Sequence, residues 1–182
     1  MGASASFRRG FPPITVECAQ GDIADQPDMD AVVNAANAPL APGAGVAGEI
    51  HTGAGAELYE ACKPLAPIEP GQAVATPAFD LPNNWVIHCL GPIFGADEPA
   101  AALLALCYQN AMRIADELGA TSLATPAIST GVFGYPIEEA ASVAMTAVRQ
   151  QAPCCASLRL VRFVLWSEED RDIHADALRA LA

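Results

Sequence analysis

Four times along the 182 residues, a short apolar run ends in a loop and hands over to a helical stretch. "DAVVNAA" (30–36) precedes a helical pattern from Val46 to about Cys62, and "WVIHCL" (85–90) precedes "PAAALLALCYQNAMRIADELGA" (99–120). "SLATPAI" (122–128) precedes "IEEAASVAMTAVRQQ" (137–151), and "LRLVRFVLW" (158–166) precedes "SEEDRDIHADALRALA". Near-continuous apolar strands separated by helices belong in a parallel sheet covered on both faces. "QAVATPAF" (72–79) is joined to "WVIHCL" by the turn "DLPNN", the pattern of a hairpin or neighbouring pair, so the sheet is mixed. "ITVECA" (14–19) alternates as a further strand closed by Gly21-Asp22. The expected fold is α/β: a three-layer α/β/α sandwich on a central mixed β-sheet.

Local signals bound the helices. Proline stands near the start and Gly119 near the end of the helical stretch 99–120, and Ser167 is placed to cap the last helix. Gly53 and Gly55 interrupt the helix that begins at Val46, and Pro64 stops it. With no internal repeat or linker, a flexible start over 1–12 and a single domain over 13–182 are expected.

Composition narrows the function. With 52% hydrophobic and 16% charged residues the chain has the makings of a packed core. Nine basic residues against 21 acidic ones leave a net charge of −12, with Lys63 the single lysine, so nucleic-acid backbones are not expected partners. The six cysteines form no C-x-x-C pair and read as reduced core residues, Cys154-Cys155 in a turn included; His51, His88 and His174 form no zinc motif. No cofactor or metal is expected. Met1-Gly2 matches a myristoylation pattern and Arg8-Arg9 a twin-arginine signal, but Pro12, Pro13 and "ECAQGD" follow where an apolar segment belongs. A soluble, cytoplasmic protein that meets no membrane is the expectation.

Two loops could hold an anion without lysine, since backbone N–H groups at a helix start act locally whatever the net charge. "PGAGVAG" (42–48) satisfies G-x-G-x-x-G, but eight residues separate Asn34 from Gly43, whereas a dinucleotide fingerprint follows its strand directly. Glu60, moreover, lies in the apparent helix rather than after a second strand. "ISTGVFGYP" (128–136) runs from a strand into a helix and offers Ser129, Thr130, Gly131 and Gly134, with Phe133 and Tyr135 to cover a sugar or base. Two such loops at strand carboxyl ends favour a diphosphate ligand.

These residues carry a family resemblance. "QGDI" (20–23), "VVNAAN" (32–37), "GAGVAGEIH" (43–51), "GQAVATPAFDLP" (71–82), "VIHCLGPIF" (87–94) and "PAISTGVFGYP" (126–136) make the chain from about Ile14 onward resemble a macrodomain of the MacroD-type branch, which binds ADP-ribose. The resemblance implies that Asp22 accepts from the adenine amine beside a backbone donor at Ile23. It implies that Asn34 and Asn37 lie near the distal ribose, with Asn37 on its hydroxyls. It further implies a first phosphate loop of Gly43, Ala44, Gly45 and Val46, and a second of Ser129, Thr130, Gly131, Val132 and Phe133, with Phe133 packed on the ribose.

The sequence departs from that pattern at Ala47, and in the first loop at Pro42 and Ala44. Hydrolases of this branch carry G-V-D-G-x-I-H, whose aspartate positions or activates water; here the stretch reads Gly45-Val46-Ala47-Gly48-Glu49-Ile50-His51. Glu49 falls on a different helical face, and His51, on the same face, reads as a core residue, as does His88. Pro42 and Ala44 should stiffen the loop. The resemblance implies an enzyme acting on O-acetyl-ADP-ribose or on ADP-ribosyl-glutamate or -aspartate in proteins, with Asn37 as a catalytic residue and water held by the ligand's diphosphate. The alternatives are a non-catalytic ADP-ribose reader, or a structural role without nucleotide.

Overall fold

The computed structural model describes residues 4–7 and 13–181. Seven strands form one sheet: β1 (Ser4–Phe7), β2 (Ile14–Gln20), β3 (Ala31–Ala35), β4 (Ala73–Pro77), β5 (Trp85–Cys89), β6 (Ser122–Thr125) and β7 (Leu160–Leu165). Their order is β1-β2-β7-β6-β3-β5-β4. The five inner strands are parallel, while β1 and β4 run antiparallel at the two edges. The mixed sheet is as expected, and β4 and β5 pair as the hairpin pattern requires.

Successive residues of the inner strands serve opposite cores. Val33, Ile87, Leu123 and Phe163 face one side with Leu104, Met112 and Met145. Val32, Val86, Ala124 and Val164 face the other with Ile50 and Leu58. Helices α3 (Ala100–Glu117), α4 (Ile137–Gln151) and α5 (Glu168–Arg179) cover the first face. Helices α1 (Val46–Ala54) and α2 (Ala56–Cys62) cover the second. The result is the three-layer α/β/α sandwich.

Helix ends follow local chemistry. Ser167 Oγ accepts from Asp170 N at 3.0 Å, and Glu168, Glu169 and Asp170 place negative charge on the first turn of α5, where the helix dipole favours it. The break between α1 and α2 falls at Gly55, with φ 84°, while Gly53 stays inside α1. Pro64 sits in the 3₁₀ turn that ends α2.

The stretch read as a flexible start contains a strand, because β1 finds a partner on the open edge of β2. Residues 1–3 and 8–12, with the Met1-Gly2 and Arg8-Arg9 signals, lie outside the described residues. Among those described, no helix is long and apolar enough to cross a membrane.

Neighbouring strands β3 and β6 send their chains to opposite faces, β3 to α1 and β6 to α4. A crevice opens where adjacent parallel strands diverge in this way, outside their carboxyl ends.

Candidate functional site

That crevice is a cleft with two lobes, about 330 and 290 Å³, which share Gly45, Val46, Ala127 and Gly131 as a common waist. The waist brings together the two loops singled out by sequence. The first ends at the N-terminus of α1, where no intrahelical acceptor exists for the leading amides. The second hangs between β6 and α4. Among the described residues, no backbone acceptor takes the amides of Ser129, Gly131, Val132 or Phe133. Amides converging from two sides make a site for a diphosphate-sized anion in a chain of net charge −12.

Each loop is held by its own bonds. Asn37 Oδ1 accepts from Ala41 N at 2.8 Å and its Nδ2 donates to Ala41 O at 2.9 Å, clamping the turn that follows β3. One Nδ2 proton and one Oδ1 lone pair remain for a ligand. Gly45 adopts φ 58° and ψ −137°, a glycine-only conformation that starts α1. Gly48 lies against the Gly43 carbonyl, where a Cβ would come within 2.5 Å of the oxygen. The left-handed turn thus falls on Gly45 and not on Ala44, so the alanine expected to stiffen the loop sits where the backbone tolerates it.

In the second loop, Thr130 Oγ1 donates to Ala127 O at 2.8 Å, Tyr135 N to Ser129 O at 2.9 Å, and Gly134 N to Gly131 O at 3.0 Å. Tyr108 of α3 anchors the base of the loop: its hydroxyl accepts from Ile128 N at 3.0 Å and donates to Pro126 O at 3.3 Å. Phe94 N bonds Phe133 O at 2.9 Å, and the Phe94 ring tilts against Tyr135 at 4.8 Å.

The larger lobe is lined by Gly21, Ile23, Glu49, Trp166 and Asp170 besides the waist. Asp22 stands exposed at its edge, its Oδ1 accepting from Ala24 N at 2.8 Å. Burial, and then the charge of Asp22, push the Glu49 carboxyl above the usual range. The smaller lobe is lined by Asn37, Gly43, Ala44, Ala47, Gly91, Ser129, Val132 and Phe133, among others. Ala47 presents its methyl there, 5% exposed. No carboxylate lines this lobe, because Glu49 faces the other one.

Of the expected ligand residues, Ile23, Asn37, Gly43 to Val46 and Ser129 to Phe133 all line the cleft, Thr130 in the larger lobe alone. Asn34 does not. It lies buried beneath, its Nδ2 3.1 Å from His88 Nδ1, because the β3–β5 register sets the two side by side. His88 Nε2 in turn meets Thr76 Oγ1 at 2.9 Å and Cys62 Sγ at 3.6 Å. Asn34 therefore belongs to the polar underside of the site and not to its surface. His51 lies in the same buried region, its ring 6.4 Å from His88 and 6.3 Å from Tyr59.

Trp166 and Asp170 are lining residues that motif reading passed over, and Glu49, set aside as a replacement for the loop carboxylate, lines the larger lobe with them. Trp166 was readable by position, standing just past the carboxyl end of β7 in a chain with two tryptophans. Five cysteines are buried, and burial raises Cys18, Cys107 and Cys155 to about 12 and Cys62 to about 11, which makes them inert as nucleophiles. Among the described residues, no three His, Cys, Asp or Glu side chains converge as metal ligands would.

The doubly wound sheet, the waist of backbone amides and the two loops that build it define a nucleotide-binding α/β domain. The macro domain profile matches residues 33–144, and the chain belongs to the macro domain family. The macrodomain of Oceanobacillus iheyensis with ADP superimposes at a TM-score of 0.90, with 36% identity over 100% of this chain and 97% of its own. The Trypanosoma brucei macrodomain in complex with ADP-ribose gives 0.83 at 29% identity, over 90% of this chain and 68% of its own. A protein of Enterobacter cloacae named O-acetyl-ADP-ribose deacetylase is 42% identical, over 85% of this chain and 88% of its length.

Proposed function

We propose that this chain binds ADP-ribose in the cleft and hydrolyses an acyl ester on its distal ribose. The carrying observation is the shared waist, where amides of two loops meet between two lobes of nucleoside size. In this reading the diphosphate spans the waist, the adenine lies in the lobe of Ile23 and Trp166, and the distal ribose lies between Asn37 and Phe133. Relatives crystallised with ADP and ADP-ribose, and one named a deacetylase of the O-acetyl ester, support it. The substrates are O-acetyl-ADP-ribose or proteins bearing ADP-ribosyl-glutamate or -aspartate, met in the cytoplasm.

Catalysis must proceed without a carboxylate at Ala47. Asn37 is the catalytic residue on the protein side, its free Nδ2 proton and Oδ1 lone pair fixing a ribose hydroxyl. The water is held by the ligand's own diphosphate. For the acetyl ester, the water oxygen bonds to the acyl carbon, the bond from that carbon to the ribose oxygen breaks, and the ribose oxygen takes up the proton as acetic acid departs. Amides of the second loop stabilise the negative charge that develops.

The methyl of Ala47 favours one other reading, a reader that binds ADP-ribose and performs no chemistry. Calorimetry with ADP-ribose tests the shared step: absence of heat at millimolar ligand removes both readings. Turnover of O-acetyl-ADP-ribose then separates them. The hydrolase reading expects wild-type turnover above the blank, lost in Asn37→Ala; a wild type equal to the blank, with activity gained in Ala47→Asp, makes the protein a reader.

A further inference from the structure

The turn that walls the larger lobe is fastened from below by a side chain outside the lobe's lining. Gln26 is 9% exposed; its Nε2 donates to the Asp22 carbonyl at 2.8 Å, and its Oε1 accepts from Arg162 Nη1 at 3.1 Å. A Cβ on Gly21 would rest 3.6 Å from that Nε2, so the amide packs directly against the turn. Arg162 belongs to β7, the strand whose Leu165 carbonyl accepts from Gly21 N at 3.0 Å.

Chemistry fixes which way the amide points. A guanidinium only donates and a carbonyl only accepts, so Gln26 must turn its oxygen to Arg162 and its nitrogen to Asp22. Arg162 is itself immobilised: Nε donates to Glu17 Oε1 at 2.7 Å, and Nη1 and Nη2 grip the two oxygens of Asp28 at 2.8 and 2.7 Å. Two carboxylates already match its charge. What the contact with Gln26 adds is direction, carried from the sheet to the backbone of the residue at the lobe's edge. There Asp22 has Oδ1 tied to Ala24 N, which leaves Oδ2 to accept from a ligand.

We propose that Gln26 and Arg162 are positioning residues that set the base selectivity of the larger lobe by holding the Asp22 carboxylate at the level of the bound base. The inference rests on the ADP-ribose reading above. A carboxylate held there rewards a purine carrying an exocyclic amine and penalises one carrying a carbonyl at the same ring position, since two acceptors face each other.

The test is calorimetric titration of ADP-ribose and of its hypoxanthine analogue, IDP-ribose, into the wild type, Gln26→Leu, Arg162→Lys, Asp22→Ala and the double variant Asp22→Ala/Gln26→Leu. The wild type should prefer ADP-ribose by about tenfold or more, the scale of one lost hydrogen bond with a charged partner. Gln26→Leu and Asp22→Ala should each shrink that ratio to about twofold, with ADP-ribose bound more weakly and IDP-ribose, relieved of the facing acceptor, bound no more weakly than by the wild type, and the double variant should lose no more, as expected of residues acting through one group. Arg162→Lys keeps a charge without the fork, and should lower the ratio even if Gln26→Leu fails to fold. Equal losses for both ligands, or a ratio untouched by the variants, overturn the proposal. A wild type that binds both ligands equally also overturns it and leaves the ADP-ribose reading standing; a wild type that binds neither removes that reading itself.

Discussion

Gly91, just past β5, lies so close under Ser129 that no methyl fits between them: an added Cβ would meet Ser129 Oγ and, at 2.6 Å, Ile128 Cγ2. Ser129 cannot retreat easily, being buried with φ 67°. Gly91→Ala therefore forces the second loop outward. It should cost about 1–3 kcal/mol of stability as overpacking does, seen as a fall of several degrees in Tm, and should weaken ADP-ribose binding as well. Unchanged affinity would separate the loop's placement from its function.

Gly45 is the contrasting case. Nothing lies within 4 Å of a Cβ built there, so Gly45→Ala meets no atom and suffers only from its backbone angles. The expected cost is about 1–3 kcal/mol from conformation alone, with calorimetry showing a lowered ligand affinity because the first amides of α1 are re-aimed.

Trp166 is 74% exposed and lines the larger lobe. Trp166→Ala should leave Tm almost unchanged but weaken ADP-ribose by about 1–3 kcal/mol, the scale of one base stacked on an aromatic ring. Its fluorescence should report ligand, while a Trp85→Phe variant should give the same signal as the wild type.

Acid should loosen the protein before its carboxylates titrate. Burial pulls His88 down from 6.5 to about 3, and lowers His51 and His174 as well. Between those two values the unfolded chain binds a proton at His88 that the folded chain refuses, so stability is complete above about pH 6.5 and falls as pH drops toward 3. For His88 the slope approaches about 1.4 kcal/mol per pH unit inside that interval. Urea midpoints from pH 7 to pH 5 should fall, and should fall less in His88→Gln if that variant folds.

The inner strands, the helices and both loops were readable because each rests on a local signal: paired β3 and β6 runs buried on both faces, the Ser167 cap, glycines where the chain turns. β1 was not, since "SASF" alternates over only four residues, too few to stand out, and forms by pairing with the β2 edge. Asn34 misled because only two residues separate it from Asn37 across the end of a strand, and which of the two stays inside depends on the register opposite His88. Trp166 lay at the last position of an apolar run, where its ring could equally have been core. Gln26 and Arg162 meet only in space, 136 residues apart.

The antiparallel edge strands have a consequence for self-association. A sheet edge is a template for another chain, and proteins blunt it with short strands and proline. Here one flank ends in a four-residue strand and the other in a strand closed by Pro77. Deleting the first seven residues would uncover the part of β2 that this strand pairs, residues 14–17, which includes the buried Ile14 and Val16. Strand β1 thus covers that part of the β2 edge and presents in its place an edge of only four residues to a neighbouring chain.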